Sequence, residues 1–299
     1  MTPVATRVPD WAANLEGVSI RGPARVLGVS LEGPNVVALH ARADPGQWVV
    51  AKHYTDNSGA GAAAAMTAVR KALEELDDPP LAVPKVLDWN GRRRVLLQAL
   101  APGRPLLPEL QSTRRRAALH AAARALACLH RTPVPVGRVT GVAEHLTDLV
   151  RPHPGFVALE LPDIGARVRD VTATLAAWPQ PPSEVVPPVA IHRDAHARQM
   201  FLDGPRVWLV DWDLYARGDA ALDVANFAVY LRTRLGSGAA AAAADFVEAY
   251  LAAGTDVTAR LPRFIALTYV RLIAKNARLR RPGWQARIRV YLDRAEHAL

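Results

Sequence analysis

The stretch from Ala190 to Asp213, AIHRDAHARQMFLDGPRVWLVDWD, sets several reactive side chains at telling intervals. An apolar run delivers His192, Arg193 and Asp194, and Gln199 follows five residues after the aspartate. Asp203-Gly204-Pro205 signals a hairpin turn, and Asp211 closes the next apolar run, 17 residues after Asp194. Side chains alternate along a strand, so Val207, Leu209 and Asp211 are expected on one face. Two carboxylates and an amide then meet at the mouth of a hairpin, a set suited to a divalent cation and a hydroxyl nucleophile. Taken one at a time these residues say little. Asp194 alone reads as a strand-end acid, His192 and His196 as structural residues, and Lys52 in VVAKHY as a surface lysine on an edge strand. Yet only four of the 37 basic residues are lysines, so the placement of each matters.

The elements that must position these groups are legible from periodicity. ARVLGVSL, NVVALHAR and QWVVAKHY read as three strands of an antiparallel meander between Ala24 and Tyr54. An alanine-rich helix follows from Ser58 to Leu76 and ends before Pro79-Pro80. VPKVLDW and RRRVLLQAL add two strands, giving a five-stranded sheet with one helix over residues 20–100. Ala101-Pro102-Gly103 breaks that pattern. Ser112 is expected to N-cap a helix through RRRAALHAAARALACLH, which ends before Pro133. A proline-rich stretch encloses a helix at roughly Pro162–Trp178, then QMFL and RVWLV form the hairpin, and helices follow from Asp219. The expected fold class is α+β and bilobal. Residues 1–100 form a β-sheet lobe with one helix, and residues 101–299 a mostly helical lobe. Ligands favour the cleft between such lobes.

Composition bounds the function classes. Of the 299 residues 50% are hydrophobic and 22% charged, ample for a folded core and against a disordered or fibrous chain. The alanine run Ala239–Ala244 is far too short to span a bilayer, and no secretory signal is recognised at MTPVATRVPDW, so the expectation is a cytoplasmic protein with no membrane partner. Cys128 stands alone, which excludes an intrachain disulfide and a cysteine metal cluster. The net charge of +9 is concentrated after Thr255, where ten basic residues face three acids. Without aromatic interleaving or a nucleic-acid motif this reads as a solvated helix face, and nucleic acid is not expected as a partner.

The joint order of these motifs resembles the aminoglycoside phosphotransferase and choline kinase-like family, small-molecule kinases related to protein kinases. The kinase pattern is H-R-D, an asparagine five positions after the aspartate, and then a metal-binding aspartate. Here these positions hold His192-Arg193-Asp194, Gln199 and Asp211. In the small-molecule branch the second half reads as an aspartate, an aromatic and often another acid, then G-D-x-x-x-D. Asp211-Trp212-Asp213 followed by Gly218-Asp219 and Asp223 matches it. VVAKHY resembles the lysine strand, LLQALAPG the hinge and LACLH the end of the first helix of the helical lobe. The likeness covers about residues 24–231.

The resemblance implies ATP and Mg2+ as cofactors. It makes Asp194 the catalytic base, Gln199 and Asp211 the metal ligands, and Lys52 the partner of the α- and β-phosphates. Hinge backbone near Gln98 and Leu100 would bind the adenine edge, and His192 would brace the catalytic loop. Two departures stand out. Gln199 replaces the usual asparagine, and Leu31-Glu32-Gly33-Pro34-Asn35 lacks the glycine fingerprint of a phosphate-covering loop. The carboxylate partner of Lys52 is open, with Glu74 and Glu75 as candidates. Asp213 and Asp219 are undecided, and Asp223 is expected to bond backbone near the catalytic loop. The expected activity is transfer of the γ-phosphoryl group of ATP to a hydroxyl of a small molecule: a sugar, a nucleoside or a secondary metabolite, an antibiotic included. Two other readings stay open: a nucleotide-binding pseudokinase, and a metal-dependent hydrolase with His192, Asp194 and His196 alternating along one strand. The net positive charge favours a neutral or anionic substrate over a polycation.

Overall fold

Short apolar runs rich in valine and leucine, separated by turn residues, produce the amino-terminal sheet. Its first strands are β1 (Ala24–Ser30), β2 (Val36–Arg42) and β3 (Trp48–His53). The computed structural model describes residues 24–30, 36–42, 48–179, 185–254 and 256–299. The glycine-poor stretch Leu31–Asn35 lies outside the described residues. After β3 come helix α1 (Ser58–Glu74), β4 (Leu81–Ala82), β5 (Val86–Asn90) and β6 (Val95–Ala99). Among the described residues the sheet runs β1-β2-β3-β6-β5 with antiparallel neighbours, so β3 is a central strand. Lys52 lies between Val37 of β2 and Leu96 of β6, and is not an edge residue.

The two faces of β3 serve different cores. Val49 and Ala51 close a small apolar cluster with Val95 and Leu97, whereas Tyr54 and Leu96 belong to the main core. Helix α1 presents Ala62, Met66, Val69 and Leu73 to that core, the spacing of one helical stripe. It packs against β5, β6 and the 3-10 turn Trp212–Leu214. Its first turn approaches closely because Gly59 lacks a side chain. A Cβ there would lie 2.3 Å from the Trp89 ring and 2.7 Å from Tyr54, whose rings meet edge to face at 5.8 Å.

The chain then passes through β7 (Arg104–Pro105), α2 (Leu106–Leu110) and α3 (Arg115–Arg131). Helix α3 begins two residues later than Ser112 would set it. The Ser112 hydroxyl instead donates to the Glu109 carbonyl and accepts from the Arg114 amide, closing a turn ahead of the helix. Next are α4 (Val142–Leu149), α5 (Pro154–Glu160), α6 (Pro162–Ala177), β8 (Val189–Ile191), β9 (Met200–Asp203), β10 (Arg206–Leu209) and β11 (Ala216–Gly218). Helices α7 (Ala221–Arg234), α8 (Ala239–Ala252), α9 (Leu261–Leu279) and α10 (Trp284–His297) complete the described chain.

The β9–β10 hairpin is not isolated. It forms the middle of a sheet ordered β4-β10-β9-β7, in which β4 pairs parallel with β10. A strand that follows α1 is thereby hydrogen-bonded to the hairpin that carries the acidic cluster. Gly103, at φ +94°, permits the junction: a Cβ there would lie 2.2 Å from the Leu202 carbonyl oxygen. Beneath the hairpin, α3 and α7 are built from small and apolar residues that are nearly all buried, as helices enclosed on several sides must be. Among the described residues no helix is long and apolar enough to cross a membrane.

Gly59→Ala is expected to destabilise the protein by about 1–3 kcal/mol in urea unfolding, although alanine is the better helix former, because the added methyl must displace two packed rings.

Candidate active site

The loop after β8 is fixed by its backbone. Asp223, in the first turn of α7 and wholly buried, accepts from the His192 amide at 2.6 Å and the Arg193 amide at 2.7 Å. His130 of α3 adds a third contact to the carboxylate at 3.2 Å and is tied through its other nitrogen to the Tyr250 hydroxyl at 2.6 Å. Burial works against the charge of Asp223, yet His130 and these donors outweigh it and hold the carboxyl below its usual range. The Arg193 carbonyl accepts from Asn226 at 3.0 Å and Arg271 at 2.8 Å. So held, Arg193 adopts a left-handed backbone at φ +66°, a conformation that a non-glycine residue keeps only where neighbours enforce it. Its buried guanidinium reaches Asp148 at 3.0 Å.

The strand face expected for Asp211 does not extend that far. β10 ends at Leu209, Val207 and Leu209 are buried, and Asp211 turns out at φ +67°. Two bonds tie this turn to the loop: the Val210 amide donates to the Gln199 carbonyl at 3.0 Å, and the Val210 carbonyl accepts from His192 Nε2 at 3.0 Å. His192 therefore braces the loop, with its ring against Trp212 at 5.0 Å. Gln199 and Asp211 are brought together, amide nitrogen to carboxylate at 2.9 Å.

Lys52 reaches this turn from β3. Its ammonium lies 2.6 Å from Asp211 Oδ1 and 2.6 Å from Asp213 Oδ2, and the Tyr54 hydroxyl donates to Asp213 Oδ1 at 2.7 Å. Burial pulls the lysine pKa down, but the two carboxylates more than offset it and the net shift is upward. Burial and the Asp213 charge likewise push the Tyr54 phenol up, so it stays a donor. Neither glutamate at the end of α1 is the partner of Lys52: Glu74 pairs with Arg70 at 2.9 Å on an exposed face. The partner that sequence reasoning left undecided is Asp213. Its signal was the acid–aromatic–acid triplet, in which Trp212 is buried and sends both flanking acids outward. Asp219 is placed elsewhere, accepting from the Ala221 amide at the start of α7 and from Arg260 at 2.6 Å.

Asp194 follows β8 with its side chain 28% exposed. Arg271 of α9 donates to its Oδ1 at 2.7 Å, and His196 stands 3.6 Å from its Oδ2 while stacking on Tyr230. Burial opposes ionisation of Asp194; Arg271, His196, His192 and Lys275 outweigh it and keep the carboxyl below its ordinary value. No sequence motif marks Arg271, which lies 77 positions after the acid it contacts.

At the hinge, Gln98 pairs with Val50 within the sheet, and the Leu100 amide donates to the Trp48 carbonyl at 3.3 Å. Successive residues of a strand direct their polar groups to opposite edges. The edge away from β3 thus belongs to Ala99, whose amide meets the Lys85 carbonyl, and to Ala101. The hydrolase cluster does not form: β8 ends at Ile191, His192 turns to Val210, and no three metal-binding side chains gather among the described residues.

Comparison with known proteins bears on this geometry. The sequence model of the phosphotransferase enzyme family matches residues 35–262, and the chain belongs to that family. Three solved structures share the fold. A choline/ethanolamine kinase family protein from Mesorhizobium loti is 17% identical, with 96% of this chain and 92% of that chain covered and a TM-score of 0.59. A thermostable mutant of aminoglycoside phosphotransferase APH(4)-Ia, in ternary complex with ADP and hygromycin B, is 16% identical over 94% and 93% at 0.63. Amicoumacin kinase hAmiN, in complex with AMP-PNP, Ca2+ and Ami, is 13% identical over 95% and 89% at 0.63. No curated protein sequence matches the chain significantly. The fold is the α+β, bilobal, protein-kinase-like one, and the protein is an ATP-dependent small-molecule kinase.

Asp223→Asn is expected to lower unfolding stability by about 3 kcal/mol or more in urea titration, because the buried charge is lost and an amide nitrogen then faces one of the two buried backbone donors.

Proposed function

We propose that this kinase moves the γ-phosphoryl group of ATP to a hydroxyl of a small acceptor, with residues 1–100 as the nucleotide half and 101–299 as the acceptor half. One observation carries the reading: a lysine of the sheet, Lys52, meets Asp211 at 2.6 Å while Gln199 touches the other oxygen of that carboxylate. Asp194 belongs to the same braced loop. Phosphoryl transfer asks for positioning and charge neutralisation more than covalent help, and these groups supply both.

The donor set fits Mg2+. Asp211 and Gln199 offer hard oxygen ligands on a carboxylate that is 37% exposed, and a half-turn of the Gln199 amide brings its oxygen forward. When bound, the ion neutralises charge on the phosphate oxygens. Lys52 is then shared between Asp213, which holds it in place, and the α- and β-phosphates. Asp194 accepts the acceptor hydroxyl proton through Oδ2 as the new O–P bond forms and the bond to ADP breaks. Arg271 holds its Oδ1 and keeps it ionised, which is the state a base must occupy. For the adenine edge, the hinge backbone named at Gln98 and Leu100 is largely committed to β3, so Ala99 and Ala101 are the better-placed groups.

The acceptor classes in view are sugars, nucleosides and secondary metabolites. Hygromycin B in one structural relative and the bound Ami of another keep antibiotics among them.

Two variants test the roles. Asp194→Asn should keep the rise in melting temperature produced by ATP and Mg2+ while reducing turnover on the order of 100-fold or more, the worth of a positioned base. Asp211→Ala should lose Mg2+-dependent nucleotide binding in calorimetric titration. Wild-type rates in both variants would overturn the assignment.

A further inference from the structure

The basic excess of the carboxy-terminal region is mostly spent within the fold. Arg260 pairs with Asp219, Arg280 with Glu160 and Arg289 with Asp163, each within 2.9 Å. Arg263 lies 3.8 Å over the Trp178 ring. A different group remains beside Asp194. Arg271, Lys275 and Arg278 recur at i, i+4 and i+7 along α9 and so form one stripe. The stripe begins at the Arg271–Asp194 contact of 2.7 Å. Helix α7, which packs on α9, ends in Arg234. Lys275, Arg278 and Arg234 are exposed, and among the described residues none has an ion-pair partner.

The local field is one-sided. Burial lowers the pKa of Lys275, Arg271, Arg234 and Arg278 lower it further, and Asp194 alone opposes them. Burial raises the pKa of Tyr230, the residue stacked on His196, and Arg234 and Arg198 pull against that rise. A cationic acceptor would place its ammonium groups among unpaired cations. An anionic one would relieve their mutual repulsion through charge-assisted hydrogen bonds, which are stronger than neutral ones.

We propose that the acceptor is an anion: a small polyhydroxy compound whose carboxylate or phosphate group docks on Lys275, flanked by Arg278 and Arg234, and whose reacting hydroxyl lies at Asp194. Four residues of helix separate Arg271 from Lys275, a rise of about 6 Å, so the anionic group and the reacting hydroxyl sit about that far apart. The inference rests on the phosphotransferase reading and names its substrate class.

The test measures ADP release from ATP and Mg2+ at low ionic strength with matched acceptors. Glucose, glucosamine, glucuronate and glucose 6-phosphate form one set, ribose and ribose 5-phosphate another, glycerol and glycerate a third, and kanamycin represents polycations. An anionic member should show the highest kcat/KM, about tenfold or more above its neutral parent, and the advantage should shrink as salt is added. Whether carboxylates or phosphates lead identifies the anionic group. Lys275→Met and Lys275→Glu should raise KM for the leading anion by about tenfold or more, the reversal exceeding the neutralisation, while the melting-temperature rise with ATP and Mg2+ persists. If that rise persists in the wild-type protein and the best acceptor is neutral or cationic, or no anion is phosphorylated, the inference is overturned and the phosphotransferase reading stands. A wild-type protein that binds no ATP overturns the phosphotransferase reading instead.

Discussion

A single buried carboxylate organises the loop that follows β8. Asp223 sits at zero exposure where α7 begins, and it takes two consecutive amides of the loop after β8 together with a histidine from α3. An uncompensated charge at that depth would cost several kcal/mol, so the carboxylate is tolerable only with its oxygens satisfied, and satisfying them dictates the path of the loop. The left-handed Arg193 is a consequence: its amide is drawn to Asp223 and its carbonyl to Asn226 and Arg271. Asp194, the next residue, is thereby aimed outward. The same anchor reaches α8 through His130 and Tyr250, so the loop is referenced to three helices at once.

A second constraint joins the sheet to the hairpin. Lys52 is mostly enclosed, and a buried ammonium needs partners as much as a buried carboxylate does. Asp211 and Asp213 supply them, and Tyr54 holds Asp213 in turn. Because β4 is also paired with β10, backbone and side chains cooperate to set the distance between the two halves of the site.

The order of elements was legible because local pattern dictates it. Short apolar runs separated by turn residues mark β1, β2, β3, β5 and β6, and the alanine-rich stripes mark α1 and α3. The HRD triplet, Gln199 and Asp211 were recognisable because their spacing is set by a loop and a hairpin of fixed length. The Ser112 hydroxyl closes a local turn on Glu109 in place of capping α3, and the partner of Lys52, open in the sequence with Glu74 and Glu75 as candidates, is fixed by a tertiary contact, the turn docked against α1. The two-residue strands β4 and β7 carry no periodicity, since they exist only through pairing with β10 and β9.

By itself the sequence determined the α+β class, the β-then-α order and the chain positions of the reactive residues, because these follow from local periodicity and from intervals along the backbone. Only the tertiary structure decided which acid meets Lys52, that Asp219 belongs to Arg260, and that Arg271 meets Asp194 across 77 residues. Those contacts join segments remote in sequence, and ion pairs form where burial leaves charges that water can no longer solvate, a condition that exists only once the chain has folded.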